Sequence, residues 1–331
     1  MKKFILFILC LLVLTGCGSG NKQNNIVKKM EKNSSDGYHL KGNMSIFNNE
    51  DVYKYNVEAS FADDKYRVSL YNTANQHKQI ILKNKEGVFV LTPALNKSFK
   101  FQSEWPHNNS QIYLIGSLIE DIRSDKDSKL EKKDDGYVIT SAVDYPNNPN
   151  LVRQDIIFDD KMHLQKVVVF DKQDRPAIEM IFTDIDYKAT FDDDHFDLKA
   201  NMEAAQIDRD ETAPTSATIE DVLYPMFLPY ETRLYREDRV EKQGGGERVL
   251  MTFDGNSPFV LSQGTTRFNE DMQVISVIGD PVLMRDGIAA LTNGAVWWFA
   301  SDKEYYLTSS TLSDVRLLEV ANSINVRRFG K

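Results

Sequence analysis

From Tyr38 onward the chain alternates apolar and polar residues with period two. "YHLKGNMSI" places Tyr38, Leu40, Met44 and Ile46 on one face and His39, Lys41, Asn43 and Ser45 on the other, and "YKYNVEASF" aligns Tyr53, Tyr55, Val57, Ala59 and Phe61. That spacing is the mark of a half-buried β-strand. Further runs follow at short intervals, "KYRVSLY", "KQIILK", "GVFVL", "KSFKF", "GYVITS", "LVRQDIIF", "LQKVVVF" and "AIEMIFTDI", divided by Asp, Asn, Gly and Pro clusters. Many short strands with turn signals predict an antiparallel sandwich or barrel, not alternating βαβ units.

One segment changes period. "NSQIYLIGSLIEDIRSD" carries Ile112, Ile115, Leu118, Ile119 and Ile122 at helical spacing, with Asn109 or Ser110 available as N-cap. A lone apolar-faced helix among strands has to cover something, either the open face of a curved sheet or the mouth of a barrel. Both arrangements enclose an apolar interior suited to a ligand. The five helix residues, with Phe89 and Trp105, are the candidate cavity and lid residues.

A second unit follows "KANMEAAQIDRDETAPTSAT" (Lys199 to Thr218), which is polar, acidic and without apolar periodicity and reads as a connection. The expected layout is a first domain over residues 30–205, a linker over 206–218 and a small α+β domain over 219–331. In the latter, a short helix is expected from Ile219 to Pro225, a hairpin around Gly244-Gly245-Gly246, and turns at Asp286-Gly287 and Asn293-Gly294. A closing amphipathic helix carries Leu312, Val315, Leu318 or Glu319, and Ile324.

The first residues read as an export signal. Lys2 and Lys3 precede an apolar run, Phe4 to Val13, and then "LTGC" ending at Cys17. The run is well short of the roughly 20 apolar residues that span a bilayer as a helix. "LTGC" is a lipobox, so residues 1–16 are expected to be removed and Cys17 to become a lipidated N-terminus. Two acyl chains there would hold the protein on the extracytoplasmic face of the membrane. Residues 17–29, with "GSGNKQNN", read as a polar tether. Cys10 falls within the removed part, which leaves Cys17 as the sole thiol and rules out an internal disulfide.

Charge narrows the partners. The formal net charge of −9 falls to −11 once Lys2 and Lys3 leave with the signal, a balance that argues against nucleic acid. His39, His77, His107, His163 and His195 are scattered, with no HExxH and no metal spacing. "GGGERV" lacks the Lys-Ser/Thr of a phosphate loop, and no Gly-x-Ser-x-Gly elbow is present. "FDDDHFD" (Phe191 to Asp197) lacks the alternation and distant Glu of a calcium loop and reads as a solvated turn. No catalytic constellation, metal site or cofactor is expected. "WWF" (Trp297 to Phe299) reads as core.

Two resemblances add to this. "RVSLYNTANQHKQIILKNKEGVFVLTPALNKSFKF" with the apolar helix after it resembles the bacterial LolA family of lipoprotein localisation factors over residues 30 to about 200. "LTPALNKSFKFQSEWP" (Leu91 to Pro106) is similar to the YdcC group, LolA-like sporulation lipoproteins of Gram-positive endospore formers. The resemblance implies a mainly β fold, α+β overall: an unclosed antiparallel barrel with a helical lid over a cavity for acyl chains. LolA is soluble and shuttles, whereas this chain looks tethered, which favours a fixed receptor, chaperone or activator. A related clostridial germination lipoprotein binds a peptidoglycan amidase, so the resemblance also implies a cell-wall amidase as partner. "ALTNGAVWWFASDKEYYLTSSTLSDVRLLEVANSI" resembles DUF4367, an α+β module of Gram-positive extracytoplasmic proteins, some linked to anti-sigma factors. The expected function is a non-catalytic lipoprotein binding an acyl chain or a partner protein in sporulation or germination. The alternative is an envelope-stress regulator of the RseB/MucB kind acting on an anti-sigma factor, an architectural analogy only.

Overall fold

The computed structural model describes residues 18–48, 51–207, 218–243, 245–300 and 303–324. A first helix, α1 (Gly18–Ser34), precedes a six-strand meander: β1 (Tyr38–Asn48), β2 (Asp51–Ala62), β3 (Lys65–Asn72), β4 (Lys78–Asn84), β5 (Gly87–Thr92) and β6 (Lys97–Phe101). Helix α2 (Ile115–Ser124) leads into a second meander of β7 (Lys129–Lys133), β8 (Gly136–Ala142), β9 (Leu151–Phe158), β10 (Leu164–Asp171) and β11 (Pro176–Asp186), followed by α3 (Leu198–Ile207). The C-terminal part holds β12 (Thr232–Glu241), β13 (Glu247–Gly255), β14 (Phe259–Thr265), β15 (Gln273–Val277), β16 (Asp280–Met284), β17 (Gly287–Thr292), β18 (Ala295–Ala300), β19 (Lys303–Thr308) and α4 (Asp314–Ser323).

The two meanders join edge to edge where β1 pairs antiparallel with β11. The result is one twelve-stranded sheet, ordered β15-β6-β5-β4-β3-β2-β1-β11-β10-β9-β8-β7, with free ends at β15 and β7. The fold is thus mainly β with unclosed sheets, as expected. Gly42 sits at a register shift in the β1–β11 pairing. A Cβ there would run into the Ile181 carbonyl and the Met180 methyl, so glycine is what allows the strands to approach.

Alternation sorts the side chains onto two faces. Tyr38, Leu40, Met44, Tyr55, Val57, Val68, Val88 and Val90 point to one face and are buried beneath α1 and α2. Ile80, Leu82, Phe89 and Leu91 point to the other, under Leu198 and Met202 of α3. Here the structure departs from the expected layout twice. The segment read as a tether is helical from Gly18, and its Ile26, Val27 and Met30 are buried in the main core. The start of the expected linker is α3, and residues 208–217 lie outside the described residues.

The C-terminal sheet, ordered β12-β13-β14-β19-β18-β17-β16, is buried on both faces along β17 and β18. Ala289, Leu291, Val296 and Trp298 pack under α4, with Trp298 stacked on Tyr305 at 4.9 Å. Ile288, Ala290 and Phe299 turn the opposite way, into the core of the large sheet. The hairpin at Gly245-Gly246 and the turns at Asp286-Gly287 and Asn293-Gly294 fall as expected. No helix forms at Ile219–Pro225, where Pro225 instead bridges Ile324. Helix α4 is capped by Ser313, whose hydroxyl accepts from the Arg316 amide; Leu317, Leu318, Val320 and Ala321 form its buried stripe, Ile324 is buried just past its end and Leu312 packs on the same core, while the expected Val315 is half-buried at the cavity wall.

The two halves are interlocked. β15 leaves its own half and adds to β6 in parallel, pairing Gln273 with Lys97 through to Val277 with Phe101. Phe299 stacks on Phe99 at 5.4 Å. Buried Gln79 supplies a side-chain amide where a strand would supply backbone: its Oε1 accepts from the Ile288 amide at 2.7 Å and its Nε2 donates to the Ile288 carbonyl at 3.3 Å. A Gln79→Ala substitution leaves the Ile288 amide buried without an acceptor, which costs about 1–3 kcal/mol. The expected outcome is a lowered urea midpoint with an unchanged m-value, read by tyrosine and tryptophan fluorescence.

Candidate functional site

The surface between α2 and the sheet is filled by the protein itself. Ile115, Leu118, Ile119 and Ile122 are all buried in the main core, and Trp105 is 1 % exposed there against Tyr66. Phe89 faces α3 on the other side of the sheet. These placements correct the expectation that six of the seven candidate residues line a hollow under a lid. Ile112 does line an open space, in a different place. Cys17 lies outside the described residues.

That space is a cavity of about 680 Å³ at the junction of the two halves. The large sheet gives Ile46, Ile81, Leu151 and Ile178 to its wall, the loop before α2 gives Asn109 to Tyr113, and the loop after β8 gives Tyr145 to Asn148. The other wall is Pro281 to Arg285 and Ile288 of the C-terminal sheet, Leu318 of α4, and Met226 and Phe227. Among the described lining residues the charged ones are Arg285, Arg316 and Glu319, and the last two form an ion pair at 2.5 Å. The volume falls inside the roughly 300–1,000 Å³ typical of small-molecule sites.

The loop that forms one wall is pinned from behind by Asp121 of α2. Ser110 donates from its hydroxyl to Asp121 Oδ1 at 2.8 Å, and Gln154 Nε2 donates to Oδ2 at 2.8 Å. The Ser110 hydroxyl in turn accepts from the Asp144 amide, while the Ser110 amide donates to the Asp144 carbonyl at 2.7 Å. Burial pushes the Asp121 carboxyl up to about 7, against the two hydrogen bonds that favour its ionised form, with Glu120 and Asp144 adding to the rise. The same apolar surroundings hold the Tyr113 and Tyr145 hydroxyls far above their ordinary range. Sequence periodicity had marked α2 by its apolar stripe; the polar residue that matters, Asp121, carried no motif.

The histidines take ordinary places, with one exception that spacing had missed. His39 Nδ1 and His195 Nε2 both lie 3.0 Å from the buried Ser60 hydroxyl. Burial, with Arg67 and His39 nearby, lowers His195 to about 4, so the pair is neutral at physiological pH. Among the described residues no group of three His, Cys, Asp or Glu is arranged to hold a metal. No helix of the described residues is long and apolar enough to cross a membrane.

A family model for sporulation proteins of the YdcC type matches residues 1–196. The sporulation protein YdcC of Bacillus subtilis is 34 % identical over 330 residues, 98 % of this chain and 97 % of that protein. The chain belongs to the YdcC-like family. It is therefore a sporulation-associated protein in which the family match ends just before α3 and the likeness to the Bacillus relative continues through both halves. Among solved structures, the MucA/MucB complex of Pseudomonas aeruginosa overlaps at a TM-score of 0.31 and 11 % identity, covering 91 % of this chain and 97 % of that one. A putative outer-membrane lipoprotein-sorting domain from Vibrio parahaemolyticus overlaps at 0.31 and 11 %, covering 54 % and 97 %. Overlaps this weak carry no weight for ligand or partner.

Asp121 sets a pH dependence of stability. Its folded-state value lies above the ordinary carboxylate value of about 3.9, so the stability it contributes is fully present below roughly pH 4 and is lost as pH rises through about 7. Asp121→Asn, measured by thermal denaturation across that window, should flatten this part of the profile and raise stability at its alkaline end relative to the unsubstituted chain.

Proposed function

We propose that the chain is a non-catalytic lipoprotein of the cell envelope, anchored through acylated Cys17 at the extracytoplasmic face of the membrane, whose junction cavity holds an apolar chain during sporulation or germination. The cavity carries this reading: both halves contribute apolar side chains to its wall, beside a set of asparagines, and its size suits one drug-sized or single-chain ligand. Its chemistry supports binding over catalysis. Among the described lining residues there is no His, Cys or Asp, and Glu319 is held by Arg316, so a nucleophile would find no partner base. The lipobox and the family's place in sporulation support the location.

A partner-protein reading draws on a separate observation. Met226 at the cavity wall is 78 % exposed, and Tyr230 and Tyr235 further along the chain are 81 and 70 % exposed, apolar surface of the kind that docks another protein. A cell-wall amidase or an anti-sigma-type protein would meet this flank.

Two experiments test the reading. Native mass spectrometry of delipidated, full-length Cys17→Ser protein should show one dodecanoate bound per chain. Ile178→Trp, filling the cavity opposite Ile46, should weaken that binding at least about tenfold, whereas Leu118→Ala should cost about 2–5 kcal/mol of stability and leave binding unchanged. Absence of dodecanoate binding, or equal binding by Ile178→Trp, would contradict the chain-binding reading. Fractionation of cells carrying Cys17→Ser should move the protein from membrane to medium; retention in the membrane would refute the anchor.

A further inference from the structure

Arg285 lies in the turn between β16 and β17, and its backbone is fixed from two sides. Its carbonyl accepts from the Tyr55 hydroxyl, and its amide donates to Asn322 Oδ1 of α4 at 3.2 Å. The side chain lines the junction cavity, passing 5.4 Å from the Tyr53 ring. Its Nε is buried and has no hydrogen-bond acceptor. A guanidinium stays charged at any pH a cell meets and offers five donors in a planar fork, so a buried Nε without an acceptor is a donor waiting for one.

Its nearest counter-charge is Asp286 beside it, which attracts the guanidinium without forming an ion pair with it. Of the two other charged lining residues, Arg316 and Glu319 neutralise each other at 2.5 Å. Asp286 follows in the same turn but is not part of the cavity wall. Burial pushes its carboxyl above the ordinary range, with Arg285 acting against that rise. Ile46, Ile112, Ile178 and Leu318 give the same cavity an apolar part of its wall, alongside Asn109, Gln111 and Asn147.

We propose that Arg285 is an anion anchor inside the junction cavity, and that the ligand is a single-chain amphiphile with an acidic head, a carboxylate or a phosphate monoester, paired to its guanidinium. The proposal rests on the chain-binding reading above and narrows it. A charge-assisted, two-pronged hydrogen bond fixes the head, and the apolar walls take the chain.

The test compares three probes of equal chain length on the delipidated full-length Cys17→Ser protein: dodecanoate, dodecyl phosphate and the neutral dodecanol. Binding of the better anion is expected to be roughly ten- to a hundredfold tighter than that of dodecanol, and the order of the two anions tells carboxylate from phosphate. Arg285→Gln should erase the margin while leaving dodecanol affinity unchanged, and Arg285→Lys should keep part of it. If dodecanol binds as tightly as both anions, or Arg285→Gln preserves the margin, the anchor is wrong and the chain-binding cavity stands. If none of the three binds, both readings fall. Should thermal melting show Arg285→Gln to be unfolded, the margin in the unsubstituted protein and in Arg285→Lys decides.

Discussion

Gln79 is the pivot on which the molecule's two halves meet. A strand in the large sheet has no free backbone edge to offer β17, so an amide side chain reaches out with one acceptor and one donor and meets both backbone groups of Ile288. The arrangement works because it is buried: inside an apolar junction an unmade hydrogen bond is costly, whereas the made pair is worth little in water. Around this contact the parallel addition of β15 to β6 and the Phe99–Phe299 stack continue the seam. Further along it Asn96 donates to the Asn269 and Glu270 carbonyls and Ser103 donates to Asp280. The cavity lies where side chains of both sheets leave space between them.

Much of this was legible in the chain. Period-two alternation marked strands such as β1 and β2 because one face lies in a core and the other is partly wet, and Gly and Asn at turns marked the hairpins. Helix α2 announced itself through four buried isoleucines and leucines at helical spacing. Other elements were silent for physical reasons. Helix α1 begins in a Gly, Ser and Asn-rich stretch of poor helix propensity and is held by tertiary contacts, Ile26, Val27 and Met30 below and a 2.6 Å ion pair from Glu31 to Arg123 beside. Helix α3 buries little more than Leu198 and Met202, too short a stripe to stand out from an acidic connection. The transfer of β15 to the other half is a non-local pairing that no local pattern records.

The site was read less well than the fold, and the error is instructive. A lone apolar helix over a sheet was taken to roof a hollow. Yet Ile115, Leu118, Ile119 and Ile122 are buried in the same core as Tyr38, Leu40 and Met44, and interiors pack to crystal-like density wherever shapes allow. Ile112, one turn before the helix proper, belongs to the same core and also borders the space. Arg285 on the cavity wall and Asp121 behind the loop that forms it are single positions in a turn and on a helix, and only the assembled fold sets them apart.

Helix α1 starts at Gly18 and is stitched to the body through Lys22 to Tyr137 and Gln23 to Ser128. An acylated residue 17 would then be joined to the folded mass with no slack between them. The proposed anchor would then leave the folded mass a short reach from the bilayer, so that the start of α1 sets how closely the body approaches the headgroups.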